Sequence, residues 1–136
     1  MANKKIEEVE GIGPAMGEKL RACGCNDTDA LLESGGTKKG REKLAAESGI
    51  SEKQILKWVN MVDLFRIKGI GGEFAELLEA AGVDTVPELA QRNAANLAAK
   101  CAELNETKKL TRRVPTAAQL EGWLAAARGL ERKVNL

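Results

Sequence analysis

The sequence predicts an all-α protein built from two diverged copies of one helical unit, packed as a single compact body. Three observations carry that reading: the composition, an internal repeat, and the caps that start and stop each helix. Aromatic residues are 3% of the 136 and Tyr is absent, whereas Ala, Leu, Glu and Lys abound. That balance favours helix over strand. A chain of this length buries one sizeable core, so the two copies are expected to share it.

The repeat appears when the chain is shifted by 58 residues, which lays residues 9–31 over 67–89 with eight identities in 23 positions. The matches are Gly11/Gly69, Ile12/Ile70, Gly13/Gly71, Glu18/Glu76, Leu20/Leu78, Ala22/Ala80, Gly24/Gly82 and Leu31/Leu89. In the second copy Ile70, Phe74, Leu77, Leu78 and Ala81 recur at helical spacing, and Gly82 follows where a left-handed cap is needed. The first copy repeats the stripe with Ile12, Met16, Leu20 and Cys23, stopped by Gly24. The next helix opens at Asp27 in copy one and at Thr85-Val86-Pro87-Glu88 in copy two, a capping-box pattern with Pro in the first turn. Further on, Ser51-Glu52-Lys53-Gln54-Ile55 with Trp58-Val59 matches Thr116-Ala117-Ala118-Gln119-Leu120 with Trp123-Leu124, now at an offset of 65. Both stretches read as capping boxes leading into amphipathic helices. Between these segments Leu44-Ala45-Ala46 resembles Leu97-Ala98-Ala99 at an offset of 53, and the fall and later rise of the offset predict loop insertions around residues 34–40 and 105–115. The copies therefore span residues 6–65 and 66–131, fused without a flexible linker, with only the last few residues frayed.

Val9-Glu10-Gly11-Ile12-Gly13-Pro14 and Ile67-Lys68-Gly69-Ile70-Gly71-Gly72 each set an apolar anchor between two glycines immediately before a helix. Glycines permit positive φ and a tight reversal, while Ile12 or Ile70 plugs the gap between helices. Beyond the second glycine the unpaired N–H groups of the helix point outward with the positive end of its dipole behind them, a seat for a phosphate.

Both segments resemble the Gly-Ile-Gly hairpin of helix-hairpin-helix proteins, whose hairpins grip the phosphate backbone without reading sequence. The whole chain also resembles a family catalogued as a domain of unknown function and related to tandem helix-hairpin-helix proteins. That second resemblance rests on Asp63-Leu64-Phe65-Arg66-Ile67-Lys68-Gly69, on Ala81-Gly82-Val83-Asp84-Thr85-Val86-Pro87-Glu88-Leu89-Ala90, and on Arg113-Val114-Pro115 with Trp123. It implies a fold and no activity. This sequence departs from a phosphate-gripping hairpin by carrying Glu73, Glu76 and Glu79 on the helix after the second turn, and Glu7, Glu8 and Glu10 before the first, carboxylates that repel phosphate.

Twenty-one basic against 20 acidic residues give a net charge of +1, so any electrostatic site is local. Residues 9–65 carry a net −1 and residues 66–136 a net +2, which favours the second copy as the nucleic-acid face. Lys38, Lys39, Arg41 and Lys43 in or beside one insertion, and Lys108, Lys109, Arg112 and Arg113 in the other, are candidate phosphate contacts. Arg66 and Lys68 flank the second hairpin, and Gly72 offers close backbone approach. The expected nucleic-acid site thus comprises Gly11, Ile12, Gly13, Arg66, Lys68, Gly69, Ile70, Gly71 and Gly72 with those loop cations. Trp58 and Trp123 sit on apolar helix faces and read as core.

No His exists for acid–base work, and no activated nucleophile, paired carboxylates, phosphate loop or dinucleotide fingerprint is evident. The expectation is a non-enzymatic protein without cofactor. Three cysteines and no His argue against a metal site; Cys23 reads as a small core residue. The first residues lack the apolar run of a signal peptide and no stretch reaches membrane-spanning length, so the expected compartment is the cytoplasm, away from membrane. DNA is the expected partner, with RNA open to the same chemistry. The rival expectation is a protein-interaction or scaffold module that keeps the fold without binding nucleic acid.

Overall fold

The computed structural model describes residues 3–135. Among them are eight α-helices and one 3-10 turn (Ile6–Glu8), with no strand; Lys5 and Asp27 form an isolated antiparallel bridge. In chain order the helices are α1 (Pro14–Ala22), α2 (Thr28–Gly35), α3 (Lys38–Ser48), α4 (Glu52–Leu64), α5 (Gly72–Ala80), α6 (Val86–Ala90), α7 (Ala94–Lys108) and α8 (Ala117–Arg128).

The caps explain most of these boundaries. Asp27, Thr37, Ser51, Asn93 and Thr116 each accept a hydrogen bond from the backbone N–H three residues on, satisfying a donor that the first turn would otherwise leave unpaired. The reciprocal capping box forms at Thr116 and Gln119. Thr85 departs from the expected pattern, since its side chain makes no cap bond. Asp63 takes over, its Oδ2 accepting from Val86 N at 2.8 Å. Gly24 (φ +89) and Gly82 (φ +91) occupy the left-handed position after α1 and α5, as expected.

The two halves are joined in parallel ways. α2 packs on α4 as α6 packs on α8, α3 on α4 as α7 on α8, and α1 on α3 as α5 on α7, while α4 against α5 makes the joint. One buried cluster runs through both halves and includes Trp58 (2% exposed) and Trp123 (7%), so both tryptophans are core residues as read. Such burial of an aromatic side chain is worth several kcal/mol on truncation, about 3–5. In the first stripe Leu20 is buried but Met16 is exposed. Cys25 and Cys101 are fully buried, whereas Cys23 is only partly so, because the chain leaves the helix at Cys23 and turns Cys25 inward.

Two expectations about the connections are corrected. The insertion expected at residues 34–40 is no loop: only Gly36 and Thr37 separate α2 from α3, so Lys38, Lys39, Arg41 and Lys43 stand on a helix. The later one is real but shorter, because α7 extends to Lys108 and the connection covers residues 109–116. The tail also fails to fray as expected. Val134 is 1% exposed, Asn135 N donates to Gly36 O at 2.8 Å, and Arg41 Nη2 donates to Asn135 O at 2.7 Å, which ties the end of the second half onto the first. Leu136 lies outside the described residues.

Candidate nucleic-acid interface

The two Gly-Ile-Gly turns share one geometry. Gly11 has φ +96 and Gly69 φ +98, and each lies under a tryptophan: an added Cβ would meet Trp58 Nε1 at 3.2 Å or Trp123 Nε1 at 3.1 Å. A side chain is therefore doubly opposed there, by backbone conformation and by the indole. Ile12 and Ile70 are buried, their N–H groups donating to Val9 O (3.0 Å) and Ile67 O (3.2 Å). The second glycine differs from expectation. Gly13 (φ −88, ψ −176) and Gly71 (φ −100, ψ −169) are extended helix N-caps that any residue adopts, and a Cβ at either meets nothing within 4 Å. Neither forms a side-chain cap, so the outward N–H groups of α1 and α5 stay open to an external acceptor.

The two helix starts are unequal. α1 begins with Pro14, which contributes no N–H, and Glu7 forms an ion pair with Arg21 of the same helix. That pairing holds the Glu7 carboxyl below the usual carboxylate range. α5 begins with Gly72, whose expected role in approaching a ligand is corrected: its missing side chain admits the first half, since a Cβ would meet Glu8 O at 2.6 Å and Glu10 Oε1 at 3.4 Å.

Around the second turn lie two clefts. One, of about 440 Å³, is lined by Gly69, Gly71, Gly72, Glu73 and Phe74 together with Thr111, Arg112 and Arg113. The other, of about 630 Å³, is lined by Lys4, Arg66, Ile67, Lys68, Gly69, Ile70 and Gly71. The α7–α8 connection holds its arginines firmly. Asn105 Oδ1 accepts from Thr111 N and Asn105 Nδ2 donates to Thr111 O, both at 3.0 Å, while Thr111 Oγ1 donates to Arg113 O at 2.7 Å. Arg112 and Arg113 remain exposed beyond this anchor. Phe74 forms part of the wall, its ring centroid 5.3 Å from that of Trp123 at an interplanar angle of 58°.

Several expected contacts are spent elsewhere. The Arg66 side chain is 3% exposed, with Nη1 donating to Asp63 Oδ1 at 2.7 Å and Nη2 to Glu131 O at 2.7 Å, so its guanidinium is a structural tie. Arg41, 4% exposed, donates to Gly35 O (2.8 Å) and Asn135 O, and is likewise interior. Lys38 and Lys39 are exposed in the first turn of α3, and Lys108 and Lys109 at the end of α7. Neither pair lines the two clefts at the second turn. Acidic groups border the same region. Glu73 is exposed on the cleft wall, and burial, then the nearby Glu10, pushes the Glu76 carboxyl up.

Lys4, Phe74 and Thr111 were not among the residues expected at this site. The position of Lys4, whose Nζ lies 5.9 Å above the Phe65 ring, has no local signal because it depends on the first half folding back on the second. Among the described residues no group of three or more His, Cys, Asp or Glu is placed to hold a metal ion, and no helix is long and apolar enough to cross a membrane.

No curated protein and no solved structure matches the chain. Residues 10–130 match the family described as Domain of unknown function (DUF4332), a span that takes in both turns, both tryptophans and the arginine-bearing connection. On that match the chain belongs to this family.

Proposed function

We propose that the protein is a non-catalytic nucleic-acid-binding module of two tandem helix-hairpin-helix units, which holds the phosphate backbone at its second hairpin with little sequence preference. The observation that carries this reading is the cleft that joins Gly71 and the open start of α5 to Arg112 and Arg113, some forty residues apart in sequence. A phosphate oxygen in that cleft accepts from the first N–H groups of α5, with the helix dipole behind them, while the guanidinium groups supply charge and paired donors. Lys68 and Lys4 extend the cationic surface along the other side of the turn. Backbone donors and phosphate contacts fix position on a duplex but carry no base information, hence the expected indifference to sequence. DNA is the proposed partner; RNA offers the same phosphate. The non-catalytic part of this reading is supported by the lack of His in the chain and by the burial that pushes the Cys25 and Cys101 thiols up.

A second reading, a protein-interaction module without phosphate grip, is favoured by Glu73, Glu76 and Glu79 along α5. Fluorescence anisotropy with labelled duplex DNA across a salt series separates the two. The first reading expects binding to all sequences alike at low salt. Arg112→Ala with Arg113→Ala should then weaken it and flatten the plot of log K against log salt by about 0.9 for each phosphate no longer neutralised. Absence of any salt-sensitive binding by the folded protein would leave the second reading standing.

A further inference from the structure

Residues 131–135, which follow α8, cross to the first half as a strap outside any helix, and their footing there is narrow. Glu131, Arg132, Lys133 and Asn135 are exposed, and Val134 alone of the five enters the core. Two clefts border the strap. One, of about 420 Å³, is lined by Arg66, Leu130, Glu131 and Lys133 among others, and in the other, of about 430 Å³, Lys133 stands with Asp29 and Glu33 of α2. The groove that receives the strap is fitted to main chain. Gly36 O accepts from Asn135 N, Arg41 Nη2 donates to Asn135 O, and Gly36 leaves room for Lys133 O, which an added Cβ would meet at 2.7 Å. The helical framework does not require Arg41, since Ala94 stands at the matching position of the second copy at the offset of 53. A guanidinium kept in the interior with Gly35 O and the strap as its acceptors is there to hold that segment.

We propose that this groove is also the docking site for the strap of a second copy of the chain, two molecules exchanging residues 131–135 to form a closed dimer. Exchange of an identical element costs little, because each contact broken within one chain is remade with the other. That holds for Gly36, for Arg41, for the Val134 socket and for Arg66, whose Nη2 donates to Glu131 O. Gly129 and Leu130 are exposed and supply the hinge, and Arg132 Nη1 donates to Val134 O at 3.2 Å, so the strap carries part of its shape with it. An element anchored by one buried side chain opens without global unfolding. Charge favours this occupant, since Lys133 brings a cation to a cleft wall that carries Asp29 and Glu33. Neither Gly36 nor Arg41 lines the clefts at the second turn, so the exchange is tested apart from phosphate binding.

The test pairs two variants of the full chain, neither able to close its own strap. Gly36→Ala blocks the groove and keeps the strap, whereas Val134→Asp spoils the strap and keeps the groove. Mixed in equal amounts they can restore one clasp, and only between chains. Size-exclusion chromatography with light scattering should show a dimer in the mixture and a monomer for each variant alone. The wild type, in which closure within the chain competes at an effective concentration of about millimolar, should need roughly tenfold more protein to dimerise. With ¹⁵N on Gly36→Ala alone, the Val134 and Asn135 amide signals should move to their wild-type positions and saturate at one equivalent of Val134→Asp. Arg41→Met in place of Gly36→Ala should behave alike, with helicity checked by circular dichroism, so the result does not hinge on one variant folding. The proposal is overturned if both mixtures stay monomeric with unmoved amides. It is equally overturned if a free acetyl-Arg-Lys-Val-Asn-amide peptide fills the groove of Val134→Asp while the second chain does not, which would give the groove to a segment of another protein.

Discussion

Replacing Asp63 by Ala should lower stability by about 3–5 kcal/mol, the usual loss when one partner of a buried ion pair is removed. The carboxylate is fully buried and holds two donors, Arg66 Nη1 at 2.7 Å and Val86 N at 2.8 Å. Without it Arg66 keeps its charge in an interior where its side chain is 3% exposed, with Glu131 O as its remaining acceptor. The start of α6 also loses a partner for its first N–H, for which an orphaned buried donor costs about 1–3 kcal/mol, a share that overlaps with the first figure. In a chain of 136 residues each kcal/mol moves the melting point by about 3–5 °C, so the expected fall is roughly 10–25 °C. Asp63→Asn, which retains an acceptor for Val86 N, should fall between the two. Asp63→Leu combined with Arg66→Met should recover most of the loss, because both buried charges go together. Calorimetry and urea unfolding at neutral pH read all four proteins. A melting point for Asp63→Ala within about 2 °C of wild type would refute the assignment of Arg66 as a structural tie. So would an Arg66→Met variant that melts normally but loses nucleic-acid binding.

The glycines of the turns should separate by role. Gly69→Ala, at φ +98 and against Trp123, should cost about 1–2 kcal/mol in a denaturant melt, whereas Gly71→Ala, extended and unopposed, should change stability by less than about 0.5 kcal/mol. Trp58→Ala should cost about 3–5 kcal/mol, and neither tryptophan should be strongly quenched by iodide in the folded protein. Glu7, held down by Arg21, should titrate by NMR below the usual carboxylate range and move upward in Arg21→Ala. Because the folded value is the lower one, any stability from this exposed pair is present above the unfolded carboxylate pKa and fades as pH falls through the folded one. Cys101, fully buried with its thiol pushed up to about 11, should resist a thiol reagent at pH 8 until the chain unfolds. Rapid modification of all three cysteines in the folded state would contradict the core described above.

What was legible in the sequence was whatever local chemistry determines. Asp27, Ser51 and Thr116 announce helix starts because a short polar side chain satisfies a donor three residues away. Gly24 and Gly82 announce helix ends for an equally local reason. The tryptophans betray the core by their helical spacing. Long-range matters were hidden. Thr85 looks like a cap, but Asp63 does that job from 23 residues away, and the fate of Arg66 follows from the same carboxylate. Arg41 resembles any other cation in a basic stretch until the tail folds back to present Asn135 O. Sequence also could not separate the two glycines of each turn, because the first takes a positive φ against an indole distant in sequence while the second is extended and faces open space.

If the protein holds phosphate as proposed, the surroundings of the two turns favour the second as the seat. Both turns have the same left-handed glycine, buried isoleucine and covering indole, so the framework does not distinguish them. Their surroundings do. α3 and α4 are joined by residues 49–51 alone, leaving no room beside the first turn for a connection like residues 109–116, which brings Arg112 and Arg113 to the second. α1 opens on a proline, and its Arg21 pairs with Glu7 of the preceding 3-10 turn, whereas α5 opens on a glycine that keeps its N–H. The first half then serves the second: Lys4 borders its cleft, the Glu8 carbonyl packs on Gly72, and Arg41 holds the returning tail. On the proposed function, the first half thus buttresses one phosphate seat instead of supplying a second grip. Lys4→Ala should accordingly weaken nucleic-acid binding more than Lys38→Ala, although both lysines lie in the first half, and anisotropy titrations of the two variants at low salt decide between a single seat and a pair.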